Sequence, residues 1–295
     1  MSELDVVTWR EMLAQTIESV GNAQEARWLC EHAAGVDGPD FLATQDEHVT
    51  VSMANSLHDM VRRRLLGEPL QYVMKRWAFR HLDVFVDQRV LIPRPETETV
   101  VDIALSLATK RLQESSPICV VDLGTGSGVI GLSMAYELPR ESAQVWLTDA
   151  SSDALDVARA NLVGVGRKGE CVRVAEGNWW NALPTRLRGH VDIAVCNPPY
   201  IAEHDNEVAD DVRKWEPHSA LFAPNNGLAD IETVARDASE WLSVGGWLVL
   251  EIGYQQGDTV RKVLSQANLT DIEIRKEALN LMNNNRKLTE TLIRE

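Results

Sequence analysis

Two patterns of apolar positions divide the chain into a helical N-terminal segment and a longer segment where strands and helices alternate. Apolar residues such as Trp9, Met12 and Leu13 recur at spacings of three and four up to about residue 66, and this period predicts α-helices. Glycines and a proline near position 38 interrupt the pattern. We expect a small helical domain over residues 1–75, with partner docking as its function.

A period of two replaces the helical period after the first segment. Leu82, Val84 and Val86 alternate with other residues, and a second apolar run follows at 90–92 after a turn-like stretch. This pattern predicts a β-hairpin over residues 76–92, which connects the two domains.

Residues 93–295 contain short apolar runs separated by helical patterns. The predicted strands cover 118–123, 145–148, 172–175, 191–196 and 247–252, and the predicted helices cover about 96–112, 129–138, 151–163 and 228–243. Such alternation predicts an α/β fold with a doubly wound, Rossmann-like parallel sheet. Ligands bind to sheets of this kind at the carboxyl ends of the central strands.

Composition narrows the class of partner. The chain has 295 residues, 44% hydrophobic and 25% charged, with a formal net charge of −15. A surface this negative repels phosphate, which argues against non-specific binding of nucleic acids or anionic membranes. The four cysteines are far apart and no metal-ligand spacing occurs, so we expect reduced thiols and no metal. The acidic N-terminus lacks the features of a signal peptide, which favours a cytoplasmic location.

A glycine-rich loop follows the first predicted strand of the body. The sequence 120–128 reads V-V-D-L-G-T-G-S-G, so that a strand ends in alternating glycines before a helix begins. Glycines let the backbone pass close to a ligand. Asp149 ends the next strand, about 20 residues further on, where an acid accepts the ribose hydroxyls of a nucleoside cofactor. These features leave NAD and S-adenosylmethionine equally open.

The sequence Asn197-Pro198-Pro199-Tyr200 at the end of the strand 191–196 favours methyl transfer. The lone pair of an amide or exocyclic amine nitrogen is delocalised, so its N–H groups must be held and the lone pair must be aimed. The Asn197 side-chain oxygen and the Pro198 carbonyl supply two acceptors, which the prolines make rigid. Tyr200 offers a flat ring for stacking on the acceptor group.

These motifs together resemble class I S-adenosylmethionine-dependent methyltransferases. Two further segments, G-E-P-L-Q-Y at 67–72 and L-I-P-R-P-E-T-E at 91–98, are similar to the PrmC/HemK family of release-factor glutamine methyltransferases. The resemblance implies methyl transfer from S-adenosylmethionine to the glutamine side chain in the Gly-Gly-Gln motif of peptide chain release factors. From the negative charge we expect no stable complex with nucleic acid or membranes, and we expect the protein to be a monomer.

The resemblance also implies roles for individual residues. The cofactor's methionine part is assigned to Gly124, Thr125, Gly126, Ser127 and Gly128, its ribose to Asp149, and its adenine side to Asn178 and Trp179. Asn197 adjoins the cofactor and, with Pro198 and Tyr200, is assigned to catalysis. The glutamine is assigned to Asn197, Pro198, Pro199 and Tyr200, with Arg94 and Glu96 bordering the same cleft.

The chain departs from the family pattern in two places. Asn178 stands where an aspartate often precedes the adenine-side aromatic residue, and Asn283-Asn284-Asn285 precedes Arg286 in place of a glycine-containing turn. The segment 203–211 is also unusually acidic, as either a solvated face or a lid that steers a basic protein surface.

Four alternatives remain at this point. The first is a glutamine methyltransferase for a ribosomal protein, against which the R-P-E-T-E segment weighs. The second is a nucleic-acid adenine methyltransferase, which shares the N-P-P-Y motif but fits the negative charge poorly. The third is an NAD-dependent oxidoreductase, which leaves Asn197–Tyr200 unexplained. The fourth is a non-catalytic binding module.

Overall fold

The protein divides into two compact units, Met1–Arg76 and Trp77–Glu295. The computed structural model describes residues 7–277 and 289–294, so the asparagine turn noted above at 283–286 lies outside the described residues. None of the helices in the described part of the chain is both long and apolar enough to cross a membrane.

The first unit consists of helices, as the period of its apolar residues predicts. They are α1 (Trp9–Val20), α2 (Ala23–Ala34), α3 (Gly38–Ala43), α4 (Val51–Leu65) and α5 (Leu70–Met74). The helix α1 begins after Thr8, whose side chain forms a reciprocal capping box with Glu11. Leu29, Phe41 and Leu57 are fully buried and belong to the hydrophobic core of this first unit.

The β-hairpin exists, but it is shorter than predicted and belongs to the second unit. Strands β1 (Trp77–Phe79) and β2 (Leu82–Val84) pair in antiparallel fashion. The turn therefore lies at Arg80 and His81, and the predicted second strand at 90–92 is wrong.

Side chains, rather than a second strand, bind the backbone of residues 85–92. Asn161 accepts from the Phe85 N–H at 2.7 Å and donates to the Phe85 carbonyl at 3.0 Å. The N–H of Ile92 donates to Glu216 at 3.0 Å. Val86 and Val90 are buried, so the period of two reflects alternate burial without strand pairing.

The second unit alternates strands and helices along the chain. Its further helices are α6 (Pro95–Arg111), α7 (Val129–Glu137), α8 (Ser152–Val165), α9 (Asp210–Trp215), α10 (His218–Leu221), α11 (Pro224–Gly227), α12 (Ala229–Trp241) and α13 (Gly257–Gln266). Its further strands are β3 (Ile118–Leu123), β4 (Ala143–Asp149), β5 (Val172–Glu176), β6 (Val191–Cys196), β7 (Ile201–Ala202), β8 (Phe222–Ala223), β9 (Leu242–Gly253), β10 (Arg275–Glu277) and β11 (Thr289–Arg294).

The main sheet has the order β10-β11-β9-β6-β3-β4-β5. The five strands from β9 to β5 are mutually parallel, which confirms the predicted doubly wound core. The chain proceeds from β3 to β4 and β5 on one side and returns to β6 on the other. The carboxyl ends of β3 and β6 therefore flank the switch point, where such sheets bind ligands.

Two antiparallel strands extend the sheet beyond the predicted parallel part. β11 pairs with β9, and β10 pairs with β11. Polar residues such as Thr289 and Glu290 interrupt this part of the sequence, so no apolar run signals a strand. The sheet is therefore mixed, and the prediction of a purely parallel sheet was incomplete.

Asp192 fixes the start of the two central strands. Its Oδ2 accepts from the Cys119 N–H at 2.8 Å, and its Oδ1 accepts from Arg111 Nε at 2.8 Å and from the Ser243 hydroxyl at 2.9 Å. Asp192 and Arg111 are both largely removed from solvent, so loss of the carboxylate leaves a poorly solvated guanidinium and a buried N–H without this partner.

We expect Asp192→Ala to lower the free energy of unfolding by about 3 kcal/mol, because breaking a buried ion pair from one side is costly. Asp156→Ala is the matched control, because its ion pair with Arg159 is exposed and such pairs contribute about 0–1 kcal/mol. Urea unfolding followed by tryptophan fluorescence measures both. Equal midpoints for the two variants would contradict this role of Asp192.

Candidate active site

The glycine loop between β3 and α7 has the backbone that only glycine adopts readily. Gly124, Gly126 and Gly128 have φ values of 70°, 54° and 89°. A Cβ on Gly124 would lie 3.0 Å from the ring of Trp179, so this glycine also permits close packing. The Thr125 N–H donates to the Thr148 carbonyl at 2.8 Å, which ties the loop to β4.

Asp122, near the carboxyl end of β3, holds this loop through buried hydrogen bonds. Its side chain is 1% exposed, and its Oδ2 accepts from the Thr125 hydroxyl at 2.5 Å and from the Gly131 N–H at 2.8 Å. Burial raises the pKa of Asp122 to about 6, while these hydrogen bonds oppose the shift. A Cβ on Gly131 would lie 2.2 Å from Leu147. Gly131, in the first turn of α7, is therefore required for close packing of the helix on β4.

Asp149 lies at the end of β4 and faces the same loop. Its Oδ2 accepts from the Gly126 N–H at 2.9 Å, and its Oδ1 accepts from the Ser151 N–H at 2.9 Å. Desolvation raises the pKa of this carboxyl group above its usual value. Each carboxylate oxygen can accept a second hydrogen bond, so the side chain is held in place and retains the capacity to bind hydroxyl groups.

A cleft of about 640 Å³ opens at the carboxyl ends of β3, β4 and β6. The predicted site residues that line it are Arg94, Gly124, Thr125, Gly126, Ser127, Asp149, Asn178, Trp179, Asn197 and Pro199. Four predicted residues are absent from the lining, namely Glu96, Gly128, Pro198 and Tyr200. Gly128 lies under the helix, where a Cβ would meet Leu132 at 3.0 Å.

Tyr200 does not offer its ring to the cleft as the sequence suggested. The ring packs against the main core, and its hydroxyl donates to Glu251 Oε1 at 3.2 Å. Gln256 donates to the Tyr200 carbonyl at 2.9 Å, and a Cβ on Gly227 would lie 2.1 Å from that oxygen. Tyr200 therefore fixes the end of the N-P-P-Y turn.

Glu251 on β9 does not line the cleft, but it holds Thr97, which does, and sequence reasoning missed it. Its side chain is 1% exposed, and its Oε2 accepts from the Thr97 hydroxyl at 2.7 Å. Thr97 in turn accepts from Asn197 Nδ2 at 3.4 Å. Burial raises the pKa of Glu251 to about 7, against the hydrogen bonds of Thr97 and Tyr200, which lower it.

This network directs the oxygen of Asn197 away from Thr97. None of the described residues donates a hydrogen bond to Asn197 Oδ1 or to the Pro198 carbonyl. The two acceptors identified from the sequence are therefore not satisfied within the described part of the protein.

A second buried acid, Glu216, joins the segment before α6 to the segment after the N-P-P-Y turn. Its Oε1 accepts from Arg94 Nη2 at 2.5 Å, and its Oε2 accepts from the Ile92 N–H. Arg94 lines the cleft, so this ion pair fixes one wall. Glu96, in the first turn of α6, contributes negative charge near Glu251 and Tyr200 without lining the cleft.

Trp179 and Asp230 form the far wall of the cleft. Trp179 has a φ of 49°, and its indole N–H donates to Asp230 Oδ1 at 3.2 Å. Desolvation raises the pKa of Asp230, and the bond from Trp179 opposes the shift. Asn178 removes the acidic group expected before Trp179, but Asp230 brings a carboxylate to the same wall.

The acidic segment 203–211 faces solvent for most of its length. Glu203, Glu207, Asp210 and Asp211 are exposed, and Asp205 is half-buried. No group of three or more histidine, cysteine or acidic side chains suited to a metal ion occurs within 7–277 and 289–294.

The chain matches the Methyltransferase small domain over residues 97–214 and the PrmC N-terminal domain over residues 8–74. Among solved structures, the N-terminal domain of human METTL16 in complex with SAH has a TM-score of 0.51 at 15% identity. It covers 79% of this chain and 82% of that one, a likeness that shows the fold.

Curated relatives are more informative. The "Release factor glutamine methyltransferase" of Burkholderia pseudomallei is 39% identical over 87% of this chain and 88% of its own length. The protein of the same name from Xylella fastidiosa strain Temecula1 is 39% identical over 88% and 90%. That from Escherichia coli is 33% identical over 90% and 91%. With this similarity over nearly its whole length, and with the cleft described above, the chain belongs to the family of release factor glutamine methyltransferases.

Proposed function

We propose that this protein methylates the side-chain amide nitrogen of the glutamine in the Gly-Gly-Gln motif of peptide chain release factors, with S-adenosylmethionine as the methyl donor. The observation that carries the proposal is the pair of acceptors, Asn197 Oδ1 and the Pro198 carbonyl, beside a nucleoside-sized cleft. A primary amide has two N–H groups to donate, which matches two acceptors one residue apart.

The residues of the cleft fit the methyl donor. Asp149 has spare acceptor capacity for ribose hydroxyls, and the positive φ values of the glycine loop leave its backbone open to a ligand. Asp149 and Asp230 also place negative charge around a cationic ligand. Gly124 to Ser127 would hold the methionine part, while Trp179 and Asn178 would border the adenine.

When bound, S-adenosylmethionine would supply a methyl group on a positively charged sulfur; a nucleophile takes the methyl group as the carbon–sulfur bond breaks, and S-adenosylhomocysteine is the leaving group. The chain's own contribution is to hold the glutamine amide. Asn197 Oδ1 and the Pro198 carbonyl accept its N–H groups, so that the nitrogen lone pair faces the donor. Rate enhancement then comes mainly from proximity and orientation, with dipoles matched to the positive charge that develops on nitrogen. The amide proton leaves to water.

Residues 1–75, the helical domain predicted from the sequence, are proposed to dock the release factor. They include none of the cleft-lining residues, which all lie between 88 and 230. Since peptide chain release factors work in the cytoplasm, the proposal also includes a cytoplasmic location, and it includes a monomer as the acting form.

Transfer of a labelled methyl group tests the proposed function. The purified protein is incubated with labelled S-adenosylmethionine and, in parallel, with a release factor, its Gln→Ala loop variant, ribosomal proteins and adenine-containing DNA and RNA. We expect label only in the release factor with an intact loop. Label in ribosomal protein or in adenine, with none in the release factor, would refute the proposal.

Asn197→Ala is expected to lower the single-turnover rate about 10²–10³-fold, as for loss of one preorganised polar contact. Cofactor affinity should change less, because the glycine loop and Asp149 supply other contacts. Asn197→Asp keeps the shape and an acceptor but places a carboxylate near the sulfonium, which favours the cationic ground state, so its rate should fall as well. A rate for Asn197→Ala within threefold of wild type at saturation would contradict the mechanism.

Asp149→Ala is expected to weaken S-adenosylmethionine binding roughly 10- to 100-fold, because a hydrogen bond to a charged group contributes about 1.5–3 kcal/mol. Asp156→Ala, at an exposed position on α8, is the control and should bind normally. Isothermal calorimetry on folded protein measures both. Unchanged affinity in Asp149→Ala would remove this residue from the site.

Deletion of residues 1–75 is expected to spare cofactor binding and to impair methylation of the intact release factor. The truncated protein must first be shown to be folded and monomeric, because the cut removes a whole unit. Calorimetry with S-adenosylhomocysteine measures the first effect and labelled methyl transfer the second. Methylation at the full-length rate would show that the helical unit does not dock the substrate.

A further inference from the structure

Four side chains beside the cleft form one chain of hydrogen bonds that ends on Glu251. Asn197 Nδ2 donates to Thr97 Oγ1 at 3.4 Å, and the Thr97 hydroxyl donates to Glu251 Oε2 at 2.7 Å. The Tyr200 hydroxyl donates to Glu251 Oε1 at 3.2 Å. Asn197 therefore donates to Thr97, and Thr97 and Tyr200 donate to Glu251. This is the direction of donation that an ionised Glu251 requires, because a carboxylate can only accept.

The Thr97 hydroxyl transmits this direction to Asn197. A hydroxyl has one hydrogen and two lone pairs. While Glu251 is ionised it can only accept, so it takes the hydrogen of Thr97 and leaves that oxygen as an acceptor. Asn197 must then present Nδ2 to Thr97 and Oδ1 to the cleft. The two orientations of an amide have the same shape, so hydrogen bonding selects between them.

When Glu251 is neutral, the donors and acceptors in the bonds between Glu251, Thr97 and Asn197 are exchanged. Glu251 is the acceptor for the Tyr200 hydroxyl, and a buried hydroxyl without an acceptor is costly, so this bond to Oε1 is retained. The added proton therefore lies on Oε2 and donates to Thr97. The hydroxyl of Thr97 then donates to Asn197, which must turn its Oδ1 inward and its Nδ2 toward the cleft.

We propose that the negative charge on Glu251 selects the amide orientation of Asn197, and that Glu251 and Thr97 are thereby positioning residues for methyl transfer. The inference rests on the proposed function, because it is the N–H groups of a substrate amide that require Oδ1 to face the cleft. If Asn197 Nδ2 faced the cleft instead, its N–H groups would face the N–H groups of the substrate amide, and no hydrogen bond could form between them.

The surroundings of Glu251 place this change within the physiological range of pH. Burial raises its pKa to about 7. The titratable and charged groups that face it are Tyr200, the negative Glu96 and the positive Arg94, and the buried thiol of Cys196 also senses its charge. Glu96 opposes ionisation of Glu251 and Arg94 favours it. The active orientation is therefore populated above this pKa and lost as pH falls through it.

A matched pair of substitutions at Thr97 tests the relay. Thr97→Val keeps the shape and removes the hydroxyl, whereas Thr97→Ser keeps the hydroxyl. With both ligands saturating at a pH above 8, we expect kcat to fall about tenfold or more in the valine variant and to be restored by serine to within threefold of wild type. KM for S-adenosylmethionine should stay within threefold in both, and this unchanged KM also reports that the valine variant is folded.

The pH profile separates positioning from a structural role. Wild-type kcat should fall on the acid side with a midpoint near the pKa of Glu251, about 7. In Thr97→Val and in Glu251→Gln the rate should be low without that acid limb, because the link between charge and amide is cut. A merely structural role would lower the rate and leave the limb in place.

A signal from Asn197 itself needs no release factor. In protein labelled with ¹⁵N-asparagine, the side-chain amide resonances of Asn197, assigned by their loss in Asn197→Asp, should shift with pH in wild type and not in Glu251→Gln. Equal kcat in the valine and serine variants, or wild-type resonances that do not respond to pH, would overturn the inference. A wild-type protein that shows the shift but methylates no release factor would support the inference on orientation and refute the proposed function.

Discussion

The Glu251 carboxylate is 1% exposed at the carboxyl end of β9, where loss of hydration costs several kcal/mol unless hydrogen bonds replace it. Thr97 and Tyr200 supply those bonds, and through them Glu251 reaches both ends of the N-P-P-Y turn. The same need to satisfy a buried charge therefore fixes the amide of Asn197 and the ring of Tyr200. The substrate side of the cleft depends on this one group.

The cofactor side follows the same principle with different acids. Asp122 is buried under the glycine loop and holds Thr125 and Gly131, while Asp149 faces the cleft and holds Gly126. Asp122 has no oxygen exposed to the cleft and acts through the loop, whereas Asp149 retains capacity for a ligand. Of these two acids at neighbouring strand ends, Asp122 is buried under the loop and supports its structure, whereas Asp149 lines the cleft and is available to a ligand.

Sequence patterns predicted those parts of the fold and the site that are determined by residues close together in the sequence. Apolar runs located the parallel strands β3 and β6 to the residue, and the motifs at their ends identified the cleft, because parallel strands bring their carboxyl ends to one edge. The antiparallel strand β11 was missed because polar residues interrupt it. The hairpin was placed too far along the chain, because alternate burial resembles strand pairing.

Contacts between distant residues could not be predicted in the same way. Thr97 and Glu251 are 154 residues apart, and Arg94 and Glu216 are 122 apart. The signal that sequence offers for Glu251 is an acid within the otherwise apolar run L-V-L-E-I. Such a residue is rarely buried without partners, and a search for buried acids at strand ends would have found it.

The most direct test of the account is a crystal structure with S-adenosylhomocysteine and a peptide that contains Gly-Gly-Gln, grown above pH 8. The account predicts that the glutamine amide nitrogen lies within hydrogen-bonding distance of both Asn197 Oδ1 and the Pro198 carbonyl, with Asn197 Nδ2 on Thr97. A glutamine side chain bound elsewhere, or an amide nitrogen held by groups other than these two oxygens, would contradict it.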